Sequence, residues 1–238
     1  MNFDLAKKLR EGTMKAHTMA ENVGFVKCFL KGVVEKNSYR KLVSGFYYIY
    51  SELEEQMYLH RDHPALGKIY FPLINRRRSL EKDLNFYYGD NWQDLLVASP
   101  KTQAYVQRIR EISGTQPELL IAHSYTRYMG DLSGGQILKK IAQRALNLSN
   151  GQGTSFYEFQ DVADAKQFKA LYRQRLNEIS LDETMVERIV DEANTAFSLN
   201  MNLFKEIEGS FIKAIGNVLF NTLTRQRTSG STEIEAAQ

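Results

Sequence analysis

Apolar residues recur every three or four positions along most of the chain, and that spacing predicts helices nearly throughout. Leu5, Leu9, Ala16 and Ala20 keep one face, and Leu42, Phe46, Ile49, Leu53 and Met57 keep another, with Ser38 expected as the N-cap. Pro100 opens a helix carrying Val106, Ile109 and Ile112. A further run starts near Pro117 and continues through Gly130, Gly134 and Gly135 to about Asn147, where SNGQG ends it. Phe168, Leu171, Tyr172 and Leu176 repeat at helical spacing. Ser180 and Glu183 have the spacing of a capping box ahead of a helix through Val186, Ile189, Val190, Ala193, Phe197 and Phe204. Strand patterns are nearly absent. With four prolines and no long Gly/Ser linker before Ser229, the pattern predicts a single compact all-α, multi-helix domain over residues 1–225 and a frayed tail over 226–238.

Composition alters this picture little: 238 residues, 43% hydrophobic and 25% charged, describe an ordinary globule with a sizeable core. The single cysteine, Cys28, excludes an intrachain disulfide framework and any cysteine cluster for zinc or iron–sulfur. It suits a reducing compartment, so a cytoplasmic location is expected. MNFDLAKKLREG has no apolar signal core, and Phe211 to Leu223 is too short and too interrupted by Lys213, Asn217 and Asn221 to span a bilayer. No membrane anchor is expected. A net charge of +3 is too slight to argue for nucleic acid, although Arg76, Arg77 and Arg78 form a local basic cluster. A weakly acidic protein partner suits it better.

The stretch TRYMGDLSGGQILKKIAQRAL, residues 126–146, poses a harder problem. Three glycines inside a helix cost about 2 to 3 kcal/mol relative to alanine, a large part of a domain's net stability. LSGGQ is also the signature segment of ABC-type ATPases, but no phosphate loop accompanies it: around Gly67 and Lys68, Asp62 stands where the first glycine belongs and Ile69 where the hydroxyl belongs. The dinucleotide pattern GxGxxG is missing too. Two readings remain. Gly130 and Gly134 let another helix pack closely, or the helix bends over a flat ligand that Cβ atoms would obstruct. Three glycines exceed what packing requires, and a planar macrocycle is the natural ligand.

If that ligand is haem, an axial side chain is needed. His17 borders the apolar face of the first helix, and Glu21 falls one turn later, within reach of the free imidazole nitrogen directly or through water. The plain reading of a lone histidine at such a border is a satisfied structural residue. His60 and His63 lie in a polar RDHP turn and look solvated, while His123 on the glycine helix is expected to make a structural hydrogen bond. The paired Glu-x-x-His of a di-iron bundle and the HExxH of a zinc protease are both absent.

The segments REGTMKAHTMAEN, YFPLINR, ELLIAHSYTRYMGDLSGGQILKKIAQ, FKALYRQRLN and DEANTAFSLNMNLF together resemble the haem oxygenases, specifically the soluble cyanobacterial and plastid type, over about residues 3–225. The resemblance implies an all-α domain that sandwiches haem between a proximal helix bearing His17 and a kinked distal helix containing Gly130, Gly134 and Gly135. It implies oxidative opening of haem at the α-meso carbon to biliverdin, with release of carbon monoxide and ferrous iron, using O2 and several electrons and feeding phycobilin synthesis. His17 is then the iron ligand and Glu21 orients it. Gly130 and Gly134 let distal backbone approach bound oxygen, and Asp131 delivers a proton to it through ordered water that Tyr50 and Arg127 support. A distal histidine acid would promote peroxidase-like O–O cleavage instead.

By the same resemblance, Lys169 and Arg173, helped by Arg10 and Tyr125, pair with the propionates, and Thr126, Ser133, Phe197, Asn200 and Phe204 match pocket or near-pocket positions. Plainer readings stand beside these: Tyr50 as a core aromatic, Lys169 and Arg173 as a solvated edge, Phe197 and Phe204 as core residues. The implied partners are ferredoxin as a soluble electron donor and biliverdin-processing reductases, acting on a monomer. Arg76 to Arg78, Lys139 and Lys140 are candidates for steering an acidic donor. The alternative function is a haem carrier or sensor that leaves its haem intact, which Asp131 beside the glycines speaks against. A bundle whose glycines serve packing alone would bind no haem.

Overall fold

A computed structural model describes residues 4–149 and 151–225; the tail expected at 226–238 lies outside the described residues. Among these, every regular element is helical: α1 (Leu5–Glu21), α2 (Gly24–Leu30), α3 (Lys36–Leu59), α4 (Arg77–Tyr88), α5 (Trp92–Leu95), α6 (Pro100–Thr115), α7 (Leu120–Ser124), α8 (Gly130–Ala145), α9 (Ala165–Asn177), α10 (Glu183–Ile215) and α11 (Asn217–Thr224). None of the described helices is long and apolar enough to cross a membrane.

The 33-residue α10 is the hub. Its buried stripe of Val186, Ile189, Ala193, Ala196, Leu203, Ile207 and Phe211 serves several sides, and α1, α2, α3, α6, α7 and α11 all pack on it. On α3, Leu42, Ile49, Leu53 and Met57 are buried as their period requires. Where α1 crosses α10, a Cβ on Gly12 would stand 2.4 Å from Val190 Cγ1, so the close approach depends on the glycine.

Helix starts follow the nearest side chain that reaches the first-turn N–H groups. Pro100 opens α6 as expected, behind the Ser99 cap. The expected Ser38 cap is corrected to Glu35, whose carboxylate accepts from the Asn37 and Ser38 N–H groups at 2.7 Å and starts α3 earlier. Ser180 likewise gives way to Asp182, an extended residue that accepts from the Met185 N–H at 2.7 Å.

Two buried carboxylates hold backbone from a distance. Asp83 on α4 accepts from the Ser155 and Phe156 N–H groups, both at 2.8 Å. Glu54 on α3 accepts from the Arg76 and Arg77 N–H groups at 2.5 and 3.2 Å, at the start of α4. Burial outweighs these hydrogen bonds and raises the Asp83 carboxyl to about 6 and that of Glu54 to about 7. Glu192 on α10 behaves oppositely: burial would raise it, but hydrogen bonds from His123 and Arg108 prevail and bring it to about 2.

A carboxyl with a raised native pKa stabilises the fold most below its unfolded value and loses that contribution as pH rises through the native one; a lowered pKa does the reverse. The urea midpoint of the apoprotein is therefore expected to peak near pH 5. The unfolding free energy extrapolated from it should fall towards pH 8 by on the order of 2 kcal/mol per raised carboxyl, with a flatter slope in Asp83→Asn. Below pH 4 it should fall again as Glu192 is protonated. Gly12→Ala is expected to cost about 1 to 3 kcal/mol by overpacking, recovered in part when combined with Val190→Ala, as read by thermal unfolding.

Candidate active site

Between α7 and α8 the chain widens into a π turn, Tyr125–Met129, immediately before Gly130. His123, Arg127 and Asp131 are spaced by four, and over eight residues an unbroken α-helix would rotate them apart by about 80°. The wider turn takes up that drift and turns Arg127 towards α3 and α10. Its Nε donates to the Tyr50 hydroxyl at 2.9 Å and its Nη1 to Asn200 Oδ1 at 2.5 Å. The Tyr50 hydroxyl donates in turn to Asp131 Oδ2. Asn200 is fixed by its own bond to the Ala196 carbonyl, 3.0 Å. The guanidinium carbon lies 4.3 Å from the Phe46 ring centroid and 4.7 Å from that of Tyr50, within cation–π range.

Electrostatics in this cluster are set by enclosure. Burial raises the Asp131 carboxyl, while Arg127, the Tyr50 hydrogen bond and Arg76 pull it down. Burial alone would lower the Arg127 guanidinium, but Tyr50 and Asp131 prevail and push it further up. Behind it, Tyr105 reaches Asn200 and lies 3.3 Å from His123 Nδ1, and His123 Nε2 is 2.9 Å from Glu192 Oε1. Arg108 closes the chain with a bidentate pair to Glu192, at 3.0 and 2.5 Å. His123 is fully enclosed, and burial lowers its pKa, leaving a neutral imidazole against an ionised Glu192.

The first residue of α8 is bare. A Cβ on Gly130 would meet nothing within 4 Å, whereas one on Gly135 would stand 3.3 Å from the Tyr157 ring. Gly130 therefore leaves open surface, and Gly135 packs. On α1, the His17 ring meets Phe197 edge-on at 5.8 Å. His17 Nδ1 is buried and bonded to no protein atom, which leaves Nε2 as the nitrogen open to a ligand. Glu21, one turn on, is buried but makes no direct bond to that Nδ1. An enclosed ring nitrogen of this kind calls for a bridging water. Open backbone on α8 and an imidazole with one free nitrogen fit a flat, iron-bearing macrocycle.

Lys169 Nζ donates to Ser133 Oγ at 3.3 Å, which ties α9 to α8, and Arg173 stands exposed one turn further on. Burial and the Arg173 charge lower the Lys169 pKa. Gly134 and Tyr125 are half-buried, Thr126 Oγ1 is buried without a partner, and Arg10 is exposed on α1. Phe204 stacks on Phe25 at 6.4 Å, as a core residue would.

Tyr50, Arg127, Asp131 and Asn200 thus form one network, and Lys169 joins Ser133; no hydrogen bond among the described residues ties Arg10 or Phe204 to either. The basic triplet is corrected. Arg76 is buried, donating to the carbonyls of Ile74, Phe156 and Glu158, Arg77 pairs with Glu81 at 3.1 Å, and Lys139 pairs with Glu158 at 2.6 Å. His60 and His63 are engaged as well, with Ser113 at 2.9 Å and Glu118 at 3.4 Å. Tyr105, Arg108 and Glu192 were not foreseen as part of the site; the four-residue spacing of His123, Arg127 and Asp131 was the available signal.

This arrangement of helices and buried polar groups has counterparts. A family model described as Heme oxygenase matches residues 3–206, and the chain belongs to the haem oxygenase family. It is 65% identical over 238 residues, all of both chains, to heme oxygenase 1 of Nostoc sp. strain PCC 7120. The crystal structure of heme oxygenase-1 from Synechocystis sp. PCC 6803 in complex with heme superposes with a TM-score of 0.89 at 62% identity, covering 93% of this chain and 100% of that one. Heme oxygenase-2 of the same organism, in complex with heme and NO, gives a TM-score of 0.95 at 49% identity over 97% and 96% of the two chains.

The Tyr50 hydrogen bond favours the ionised form of Asp131 against the burial that raises its carboxyl. Tyr50→Phe is expected to move the Asp131 titration up by about one pH unit, followed by carboxyl 13C NMR on the apoprotein.

Proposed function

We propose that this chain binds haem between α1 and α8 and opens it at the α-meso carbon to biliverdin, carbon monoxide and ferrous iron, with electrons from reduced ferredoxin. The observation that carries this reading is the buried Tyr50–Arg127–Asp131 network set beside the bare backbone of Gly130. The relatives support it, since both Synechocystis structures hold haem.

Bound haem is substrate and supplies the iron that activates O2. His17 Nε2 is assigned as the axial ligand, with Glu21 orienting the ring through water. Lys169, Arg173 and Arg10 are assigned to the propionates, with Tyr125, Thr126, Ser133 and Phe197 around them. Gly130 and Gly134 let α8 lie close to the ligand. Asp131 moves the proton: Tyr50 occupies its Oδ2, which leaves Oδ1 for water, and Arg127 opposes the rise that burial imposes on its carboxyl. His123 cannot take that role, because both ring nitrogens are engaged behind the helix. Of the basic candidates for meeting an acidic donor, exposed Arg77, Arg78 and Lys140 remain. The proposed setting is the cytoplasm, the proposed state a monomer, and the product feeds bilin-processing reductases.

One equivalent of haem added to the purified protein should give a Soret band, and ferredoxin, its reductase and NADPH in air should then replace it with red biliverdin absorption and carbon monoxide. A stable ferrous-oxy spectrum with electron delivery confirmed would point to a carrier or sensor, and no haem uptake would overturn the reading. His17→Ala is expected to lose axial ligation, and Asp131→Ala to keep haem while slowing ring opening about 100-fold or more.

A further inference from the structure

Arg127 is followed by Tyr128, and these two residues of the π turn meet two successive turns of α3: Arg127 bonds Tyr50, and the Tyr128 hydroxyl faces Glu54 Oε1 at 3.5 Å. The Tyr128 ring also stands edge-on to Tyr50 at 5.8 Å. Glu54 is 8% exposed, and its remaining partners are the backbone N–H groups that start α4. Capping a helix does not require an enclosed charge. Asp4, Glu35, Asp164 and Asp182 cap α1, α3, α9 and α10 from partly or fully exposed positions. Glu54 instead stands between a polar cavity of about 580 Å3, lined also by Ser51, Tyr58, Arg76 and Arg77, and the π turn. The cavity side is lined by polar groups and the Tyr128 side is closed.

We propose that Glu54 is a positioning residue for the active site: through Tyr128 it holds the π turn against α3 and thereby keeps Arg127 on Tyr50 and Asp131. A wide turn is easily lost, because shifting its hydrogen bonds by one residue restores an ordinary helix and rotates everything beyond it. Two consecutive side chains bonded to one rigid neighbour oppose that shift. The proposal rests on the haem oxygenase reading for its purpose, but not for its test.

The charged and titratable groups facing Glu54 are Arg76, Arg77 and Tyr128, and those facing Asp131 are Tyr50, Arg127 and Arg76. Glu54→Asp keeps the charge and withdraws it by one methylene; Tyr128→Phe removes the hydroxyl and no charge. In the apoprotein, each should shift the Asp131 carboxyl 13C titration to higher pH, as Arg127 and Tyr50 loosen, and the double variant should shift it no further. Glu35→Gln, a distant cap, should lower the melting temperature without moving Asp131. In the haem-loaded protein the same two variants should broaden and shift the C–O stretching band of bound carbon monoxide. An unmoved Asp131 titration in Glu54→Asp, or additive shifts in the double variant, would overturn the proposal and leave Glu54 as a cap for α4. Should Glu54→Asp fail to fold, an unmoved titration in Tyr128→Phe alone overturns it. Absence of a Soret band in the wild type would instead remove the haem oxygenase reading and leave the apoprotein result standing.

Discussion

An enclosed guanidinium is the constraint on which the rest of the site depends. Arg127 is 6% exposed, keeps its charge at any working pH and has five N–H donors to satisfy. Burying such a group without partners is prohibitive, so its surroundings are dictated. The α3 helix supplies Tyr50 and the Phe46 ring, α10 supplies Asn200, and α8 supplies the compensating carboxylate of Asp131. Three helices are thereby drawn to one cation, and their relative positions are set by its hydrogen-bond geometry as much as by apolar packing. The same cation tempers Asp131: enclosure favours the neutral acid and raises the carboxyl, and the guanidinium, which favours the anion, limits that rise.

The helices were legible in the sequence because burial obeys the helical period, as Leu42 to Met57 on α3 illustrate. Their starts were less so. Any nearby Ser, Asp or Glu can cap, and the choice between Ser180 and Asp182 falls where the backbone is still extended, at ψ 167. The glycines correctly signalled bare backbone at Gly130, but Gly135 answers to Tyr157. A basic triplet at a helix start also misleads. Successive residues point about 100° apart, so Arg76 turns inward, Arg77 lies along its own helix and Arg78 faces out. The π turn has no composition of its own, since Tyr125–Met129 are ordinary helix residues and long-range bonds impose the widening. Those bonds join residues 69 to 77 apart, as in His123 to Glu192 and Arg127 to Tyr50, and the four-residue spacing of His123, Arg127 and Asp131 is their one local trace.

The two walls of the proposed haem slot are built differently. On the α8 side, side-chain hydrogen bonds run without a break from Arg108 to Asp131, and directional bonds tolerate little displacement. The α1 side carries fewer such bonds: the Ala6 N–H donates to Asn177 Oδ1 at 3.0 Å and Asn194 Nδ2 to the Gly12 carbonyl at 3.1 Å, and the rest is apolar contact and the near-touching of Gly12 and Val190, with Met14 and Met19 half exposed. Apolar contact is less particular about angle. A rigid wall carrying the proton-bearing groups thus faces a more adaptable one carrying the candidate ligand, which suits a ligand that must enter and whose altered form must leave.

The order of the helices along the chain bears on how the protein comes into being. The α1 helix packs on α9 and α10, and α2 on α10 and α11. Lys27 Nζ reaches the Thr224 carbonyl at 3.2 Å across 197 residues, and Lys31 Nζ that of Leu223 at 2.5 Å across 192. On a ribosome, most of the surface on which the first helices pack is made last, although α2 also meets α1 and α8. His17 lies on the first of them and Asn200 on α10, so the two walls of the proposed slot are brought together by contacts between the two ends of the chain.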